Sequence, residues 1–403
     1  MFALLGIFTM KNPAQSSQII VQMEVTFGEN TEKIQQATAN LEMEGKKVSN
    51  PLKNMIIVGN NLTFSTDFQG AEMRFSGKLD GGKLSGMLEV VEKGQRVATG
   101  NWSLTRADGN SKNITGTWKG AINAQPIPAQ QADLSFDVSV ARPAYTKKRP
   151  KALFDEAHNN IHTASGLYKP FADLITNDGY IVVPNKEKFQ SSTLAGYDVL
   201  IIVNAAGPRG QRANPAFTDE ECDAVRDWVK SGGSLLFIAD HAPMGAAAEI
   251  LAKRFGVDMS KGFTDNASSV DKVLGDITFS RENKLLADSP ITRGRNPDER
   301  VSRVVTFTGQ SLKATADDSA ALLILPDTAV DTFPQSKQSV SAAGRAQGLT
   351  IKFGKGRVVI LGEAGMLTAQ IDDKNRAFGM NYPNTDNKQF ALNIMHWLSR
   401  LLN

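Results

Sequence analysis

Apolar and polar positions alternate with period two from about Ile19 to Val140, broken by Gly and Asn. That period sends successive side chains to opposite faces of a strand. The clearest case is residues 71–79, then Asp80-Gly81-Gly82, then residues 83–91, a hairpin whose glycines supply the positive φ of a tight turn. Residues 54–59, 62–67 and 96–104 repeat the pattern. With no helical period between them, they predict an all-β domain over residues 1–145, an antiparallel barrel or sandwich. Gly100-Asn101-Trp102 and Gly116-Thr117-Trp118 read as two copies of one strand signature. Their tryptophans are expected to fill the interior of a structural barrel, with a lipocalin-like pocket as the sharper alternative.

A Pro- and Lys-containing stretch over residues 141–151 reads as a linker, and after it the period changes. Short apolar runs at 152–155, 180–183, 199–203, 234–239 and 357–361 are separated by helical patterns. Runs without alternation are what strands buried on both faces look like, so residues 151–403 predict a three-layer α/β domain with a parallel, doubly wound sheet. Thr218 and Glu221 form a capping box ahead of Cys222, Val225, Trp228 and Val229, and Gly232-Gly233 ends that helix. A last helix is predicted over residues 388–402, with Asp386 or Asn387 as its N-cap.

Composition narrows the class. The 45 basic and 42 acidic side chains leave a formal charge of +3, with no basic run interleaved with aromatics, so nucleic acid is not an expected partner. A single cysteine, Cys222, excludes an internal disulfide and any Cys-based zinc cluster, and its place on an apolar helix face predicts a packed thiol. Residues 1–10 (MFALLGIFTM) are too short to span a bilayer and lack a basic n-region; they read as a signal remnant or a buried first strand. No transmembrane segment is expected, and a periplasmic or secreted location of a bacterial protein is favoured over a cytoplasmic one. Asn101-Trp102-Ser103 and Asn113-Ile114-Thr115 match the short glycosylation pattern.

Ligands of open α/β sheets sit beyond the carboxyl ends of the strands, near the point where strand order reverses. The first strand presents Asp155, Glu156, His158, Asn159, Asn160 and then His162; the third, Asn204-Ala205-Ala206-Gly207-Pro208; the fourth, Asp240-His241-Ala242-Pro243; the last, Gly362-Glu363-Ala364-Gly365. Three of the four histidines therefore fall at one edge, together with carboxylates. Two chemistries fit. Asp155, His158, His162, Asp240, His241 and Glu363 form a ligand pool for a divalent cation, zinc or calcium. Alternatively, His158 or His241 acts as base beside Asp240 and Glu363, with backbone N–H groups near Ala206-Gly207 as an oxyanion hole. Asn159, Asn160, Asn204, Gly207, Arg293, Arg295 and Asn381 are the expected substrate contacts, the two arginines clamping an anionic group. No G-x-S-x-G elbow is present.

The segment from Phe154-Asp155-Glu156-Ala157-His158-Asn159-Asn160 to Gly362-Glu363-Ala364-Gly365, with Asn387-Lys388-Gln389-Phe390 and Trp397-Leu398 closing it, resembles uncharacterised bacterial proteins with a class I glutamine-amidotransferase-like domain. The resemblance implies a flavodoxin-like sheet. It does not imply glutaminase activity, because Asp240-His241 stands where those enzymes carry their Cys, and Glu363 has no neighbouring His. The expected function is a hydrolase, an esterase or lactonase candidate acting on a small ester, lactone, amide or sugar-derived substrate. The alternative is a non-catalytic protein that binds a carbohydrate or envelope component.

Overall fold

A computed structural model describes residues 19–27, 37–43, 46–68, 70–92, 95–107, 114–126, 130–266, 275–315, 318–333, 336 and 338–403. The apolar stretch 1–10 and Asn113 of the second glycosylation pattern lie outside them. The chain divides into two compact units, residues 1–129 and 130–403.

The first unit is a nine-stranded antiparallel sheet: Ile19–Phe27, Ala37–Met43, Lys46–Pro51, Lys53–Val58, Asn61–Phe68, Ala71–Asp80, Lys83–Glu92, Gln95–Arg106 and Gly116–Pro126. Their spatial order is third, second, first, ninth, eighth, seventh, sixth, fifth, fourth. The two edge strands are consecutive in the chain, joined at Leu52, and Thr66 Oγ1 donates to Pro51 O at 3.2 Å across the gap. The sheet therefore curls into a nearly closed barrel, which leaves little of its edges unpaired. The predicted hairpin turns at Gly81 and Gly82, whose φ values of 53° and 80° suit a two-residue primed turn. The interior is filled by side chains. Phe64 stacks on Phe75 with centroids 4.6 Å apart, and Trp102 meets both edge-on at 5.6 and 5.7 Å. Gly77 and Gly86 face each other beside Trp102, and a Cβ on Gly77 would come within 2.7 Å of the indole. Trp118 is also fully buried.

The second unit begins earlier than the change of period suggested. Gln130–Ala132 pairs with Ala369–Asp372, and Phe136, Val138, Val140 and Tyr145 pack on the second unit's core. Periodicity reports that a face is apolar; it does not report which core the face meets.

Five parallel strands run through this unit: Lys151–Asp155, Ile181–Asn185, Val199–Val203, Ser234–Ile238 and Gly356–Leu361. Their order is second, first, third, fourth, fifth, so direction reverses between the first and third. Neighbouring residues within each strand feed opposite cores. Phe154, Ile201, Leu236 and Val359 pack with the helices Lys169–Asn177 and Asn387–Leu398, while Leu153, Leu200, Phe237 and Ile360 pack with Asp219–Ser231 and Met244–Arg254. That is the expected three-layer arrangement, but the sheet is mixed. Ala346–Phe353 runs antiparallel to the fifth strand through a turn at Gly354, and Leu312–Ala314, Val257–Met259 and Ser319–Ile324 extend it. The expectation of a purely parallel sheet missed this antiparallel flank.

The Thr218 capping box forms as predicted, and Gly232 ends that helix with φ 129°. Cys222 is fully buried, its thiol pushed up to about 12 by burial. The last helix ends at Leu398, four residues short of the expected 402. Neither candidate cap uses its side chain on that helix. Asp386 accepts from the N–H groups of Ser302 and Arg303, and Asn387 bonds both backbone groups of Val305. No described helix is long and apolar enough to cross a membrane.

Candidate functional site at the strand ends

The first strand ends in a turn that saturates its own side chains. Asp155 is fully buried, and both its oxygens accept from His158 Nδ1, at 2.8 and 3.0 Å. The other ring nitrogen, Nε2, meets Glu221 Oε1 at 2.8 Å, and the ring packs against the stacked pair Phe189 and Phe217. Asn160 completes the knot: its amide donates to Asp155 Oδ2 and to Val203 O, and its Oδ1 accepts from His158 N. Burial by itself would depress the His158 pKa, but the Asp155 hydrogen bond and charge, joined by Glu221, raise it above the ordinary value. With a carboxylate on each nitrogen the imidazole is held as a cation. It has no lone pair for a metal or a proton, so the expected role of His158 as ligand or base gives way to a structural one, and Asp155 goes with it. Asn159 is exposed with φ 48°, marking the sharp turn. The sequence did carry a signal for Glu221, as the third residue of the capping box, but not for its reach of 63 positions back to His158.

The remaining candidates meet elsewhere along the same edge. Asn204, with φ 47° and nearly buried, brackets the ends of three strands. Its Oδ1 accepts from Asp240 N at 2.9 Å, and its Nδ2 donates to His162 Nδ1 at 3.0 Å. His241 is half-buried; its ring stacks on Phe263 with centroids 4.3 Å apart, and Nδ1 donates to Ala242 O at 2.9 Å. That bond places a proton on Nδ1, and Nε2 has no partner among the described residues. Asp240 Oδ1 accepts from His241 N at 2.7 Å, and Oδ2 has no partner among the described residues. Gln310, fully buried and unmarked in the sequence, donates to Ala239 O and Asp240 O and so pins this strand end.

Glu363 lies at the foot of the group. Its carboxyl is buried and accepts from the N–H groups of Gly365 and, at 2.7 Å, Met366. Burial, then the charge of Asp240, pushes its pKa well above the usual carboxylate range, against those backbone donors. Tyr168, also missed in the sequence, is buried beside these carboxyls and donates its hydroxyl to Ala364 O at 2.6 Å. His162 packs edge-on to the Tyr168 ring, and burial, then the nearby His241, lowers its pKa to about 4. The edge thus combines an unpartnered imidazole nitrogen of His241, a neutral second imidazole in His162, and the neighbouring carboxyl groups of Asp240 and Glu363.

Several expectations end here. Ala206 N donates to His158 O at 2.9 Å and Gly207 N to Arg212 O at 3.0 Å, so these amides form no oxyanion hole. Gly207 serves packing, since a Cβ there would lie 2.5 Å from two carbonyl oxygens. Arg293 pairs with Asp288 at 2.6 Å on the surface, and Arg295 forks onto Glu299. Arg295 lines a cavity of about 470 Å³ with Asp178 and His396, away from the strand ends, so neither arginine clamps an anion there. Asn381 donates to Asp133 Oδ2 and Gln370 O, both at 2.9 Å, tying the Gln130–Ala132 strand in place. The expected divalent site does not assemble either: no group of three or more His, Cys, Asp or Glu side chains among the described residues is placed to hold a metal ion.

No family model matches the chain, and no curated protein matches it. Solved structures with a loose likeness include the mmIFT52 N-terminal domain, at 16% identity and TM-score 0.44, covering 62% of this chain and 97% of that one. A putative GMP synthase subunit from Thermoplasma acidophilum is 13% identical with TM-score 0.35, covering 64% and 96%. The exo-β-1,4-mannosidase Op5Man5 from Opitutaceae bacterium strain TAV5 is 12% identical with TM-score 0.33, covering 64% of this chain but only 37% of the enzyme. Likeness at this level carries no argument about activity.

Proposed function

We propose that the second unit is a hydrolase for a small ester, lactone or amide, working by metal-free acid–base chemistry at the strand ends. The observation that carries this reading is His241 Nε2, without a partner among the described residues, next to Asp240, whose neighbour Glu363 is buried with its pKa raised by burial and then by the charge of Asp240. His241 takes a proton from water as the hydroxide oxygen adds to the substrate carbonyl carbon. As the tetrahedral adduct collapses, the acyl C–O or C–N bond breaks and His241 passes the proton it took to the leaving oxygen or nitrogen, while Asp240 beside it steadies the imidazolium. Water is thereby split across the acyl bond, giving an acid and an alcohol or amine. The strand order supports reading the unit as flavodoxin-like and glutamine-amidotransferase-like, with the site on the edge where such sheets bind ligands. The test is a screen of esters, lactones and amides with purified protein, its His241→Ala variant and its Asp240→Asn variant. Turnover by the parent that both variants lose supports the reading. A silent screen together with a saturable melting shift on adding a carbohydrate replaces it with a binding function.

A further inference from the structure

His162 has an unusual set of constraints for a buried histidine. A backbone N–H can only donate, so the Asp240 N–H fixes Asn204 Oδ1 as its acceptor. The other end of that amide is therefore NH₂, and it donates to His162 Nδ1. An Nδ1 that accepts carries no proton, so the proton of the neutral ring sits on Nε2, and a cation would require Nδ1 to face a donor with a second donor. The Nε2–H itself has no acceptor among the described residues.

We propose that His162 serves the same site as an uncharged hydrogen-bond donor, with Asn204 as its positioning residue, and that the group taken up is a neutral carbonyl rather than an anion. The inference rests on the reading of this edge as a functional site. The titratable groups around His162 agree with it: Tyr168 on its ring, His241 close by, and Asp240 and Glu363 acting on Tyr168. A carboxyl pair repels an anionic ligand, and Arg293 and Arg295, which would have attracted one, are tied to Asp288 and Glu299. A neutral imidazole N–H polarises a carbonyl without requiring a cation in a buried position.

The test uses the full chain labelled with ¹⁵N-histidine. The ring nitrogens of His162 are expected to show the Nε2–H tautomer, uncharged from pH 5 to pH 8. Titration with 2-pyrrolidinone, a cyclic amide that stands in for a lactone, should move the His162 Nε2–H signal, and acetate should not. Asn204→Asp keeps a residue that tolerates the left-handed backbone but replaces the NH₂ donor by a carboxylate; it should invert the tautomer and raise the protonation midpoint by more than about one pH unit. An Nδ1–H tautomer in the parent, an Nε2–H signal that answers acetate and not the lactam, or an unchanged His162 in Asn204→Asp each overturns the proposal. A silent hydrolase screen alongside the expected NMR pattern removes the reaction while supporting the donor.

Discussion

His158 and His241 both stand just beyond parallel strands on one edge of one sheet, and they differ in what their nitrogens have left to give. His158 has each nitrogen on a carboxylate, Asp155 and Glu221, and packs against the stacked rings of Phe189 and Phe217. His241 spends Nδ1 on a carbonyl and keeps Nε2. The first arrangement locks a strand end to the start of the Asp219–Ser231 helix; the second leaves a base in reach of solvent. Position in the fold selects where chemistry can occur, and unspent hydrogen-bonding capacity selects which residue performs it.

That contrast can be broken at either end. His241→Ala should lower turnover of whichever ester, lactone or amide the screen identifies by about 10²–10⁴-fold while changing stability by no more than about 1 kcal/mol. His158→Ala should do the reverse. Removing the cation leaves Asp155 and Glu221 buried without it, and urea unfolding should report a loss of about 3–5 kcal/mol. Comparable activity losses in both variants at unchanged stability would erase the distinction.

His162 and His158, both buried, should also tilt stability against pH in opposite directions. The unfolded ring titrates near 6.5 and folded His162 only near about 4, so the unfolded state binds the extra proton between these values and stability falls on acidification. The loss is on the order of 3 kcal/mol, and His162→Gln should flatten that limb. His158, with its folded pKa raised, contributes stability that is complete below 6.5 and disappears as pH rises through the folded value. His158→Ala should remove that alkaline limb, which melting curves across pH would show. The smallest effect is expected at Arg293→Ala: its pair with Asp288 is solvent-exposed on both sides, and losing it should cost at most about 1 kcal/mol and leave activity unchanged.

Much of this protein was legible in its sequence because the signals were local. Period-two alternation and Asp80-Gly81-Gly82 determined the barrel hairpin; Thr218, Glu221 and Gly232 determined a helix at both ends; unbroken apolar runs determined the central strands; and the clustering of His, Asp and Glu after those runs determined which edge to inspect. What only the tertiary structure decided was pairing at a distance. Nothing local to His158 announces Glu221, nothing near Asp240 announces Gln310, and Phe136 and Val138 show an apolar face without showing which core receives it. The same residue types that suggested a ligand pool were sorted by their partners into a saturated ion-paired knot and a group with open valences. A sequence states which donors and acceptors exist; only the fold states which of them remain unspent.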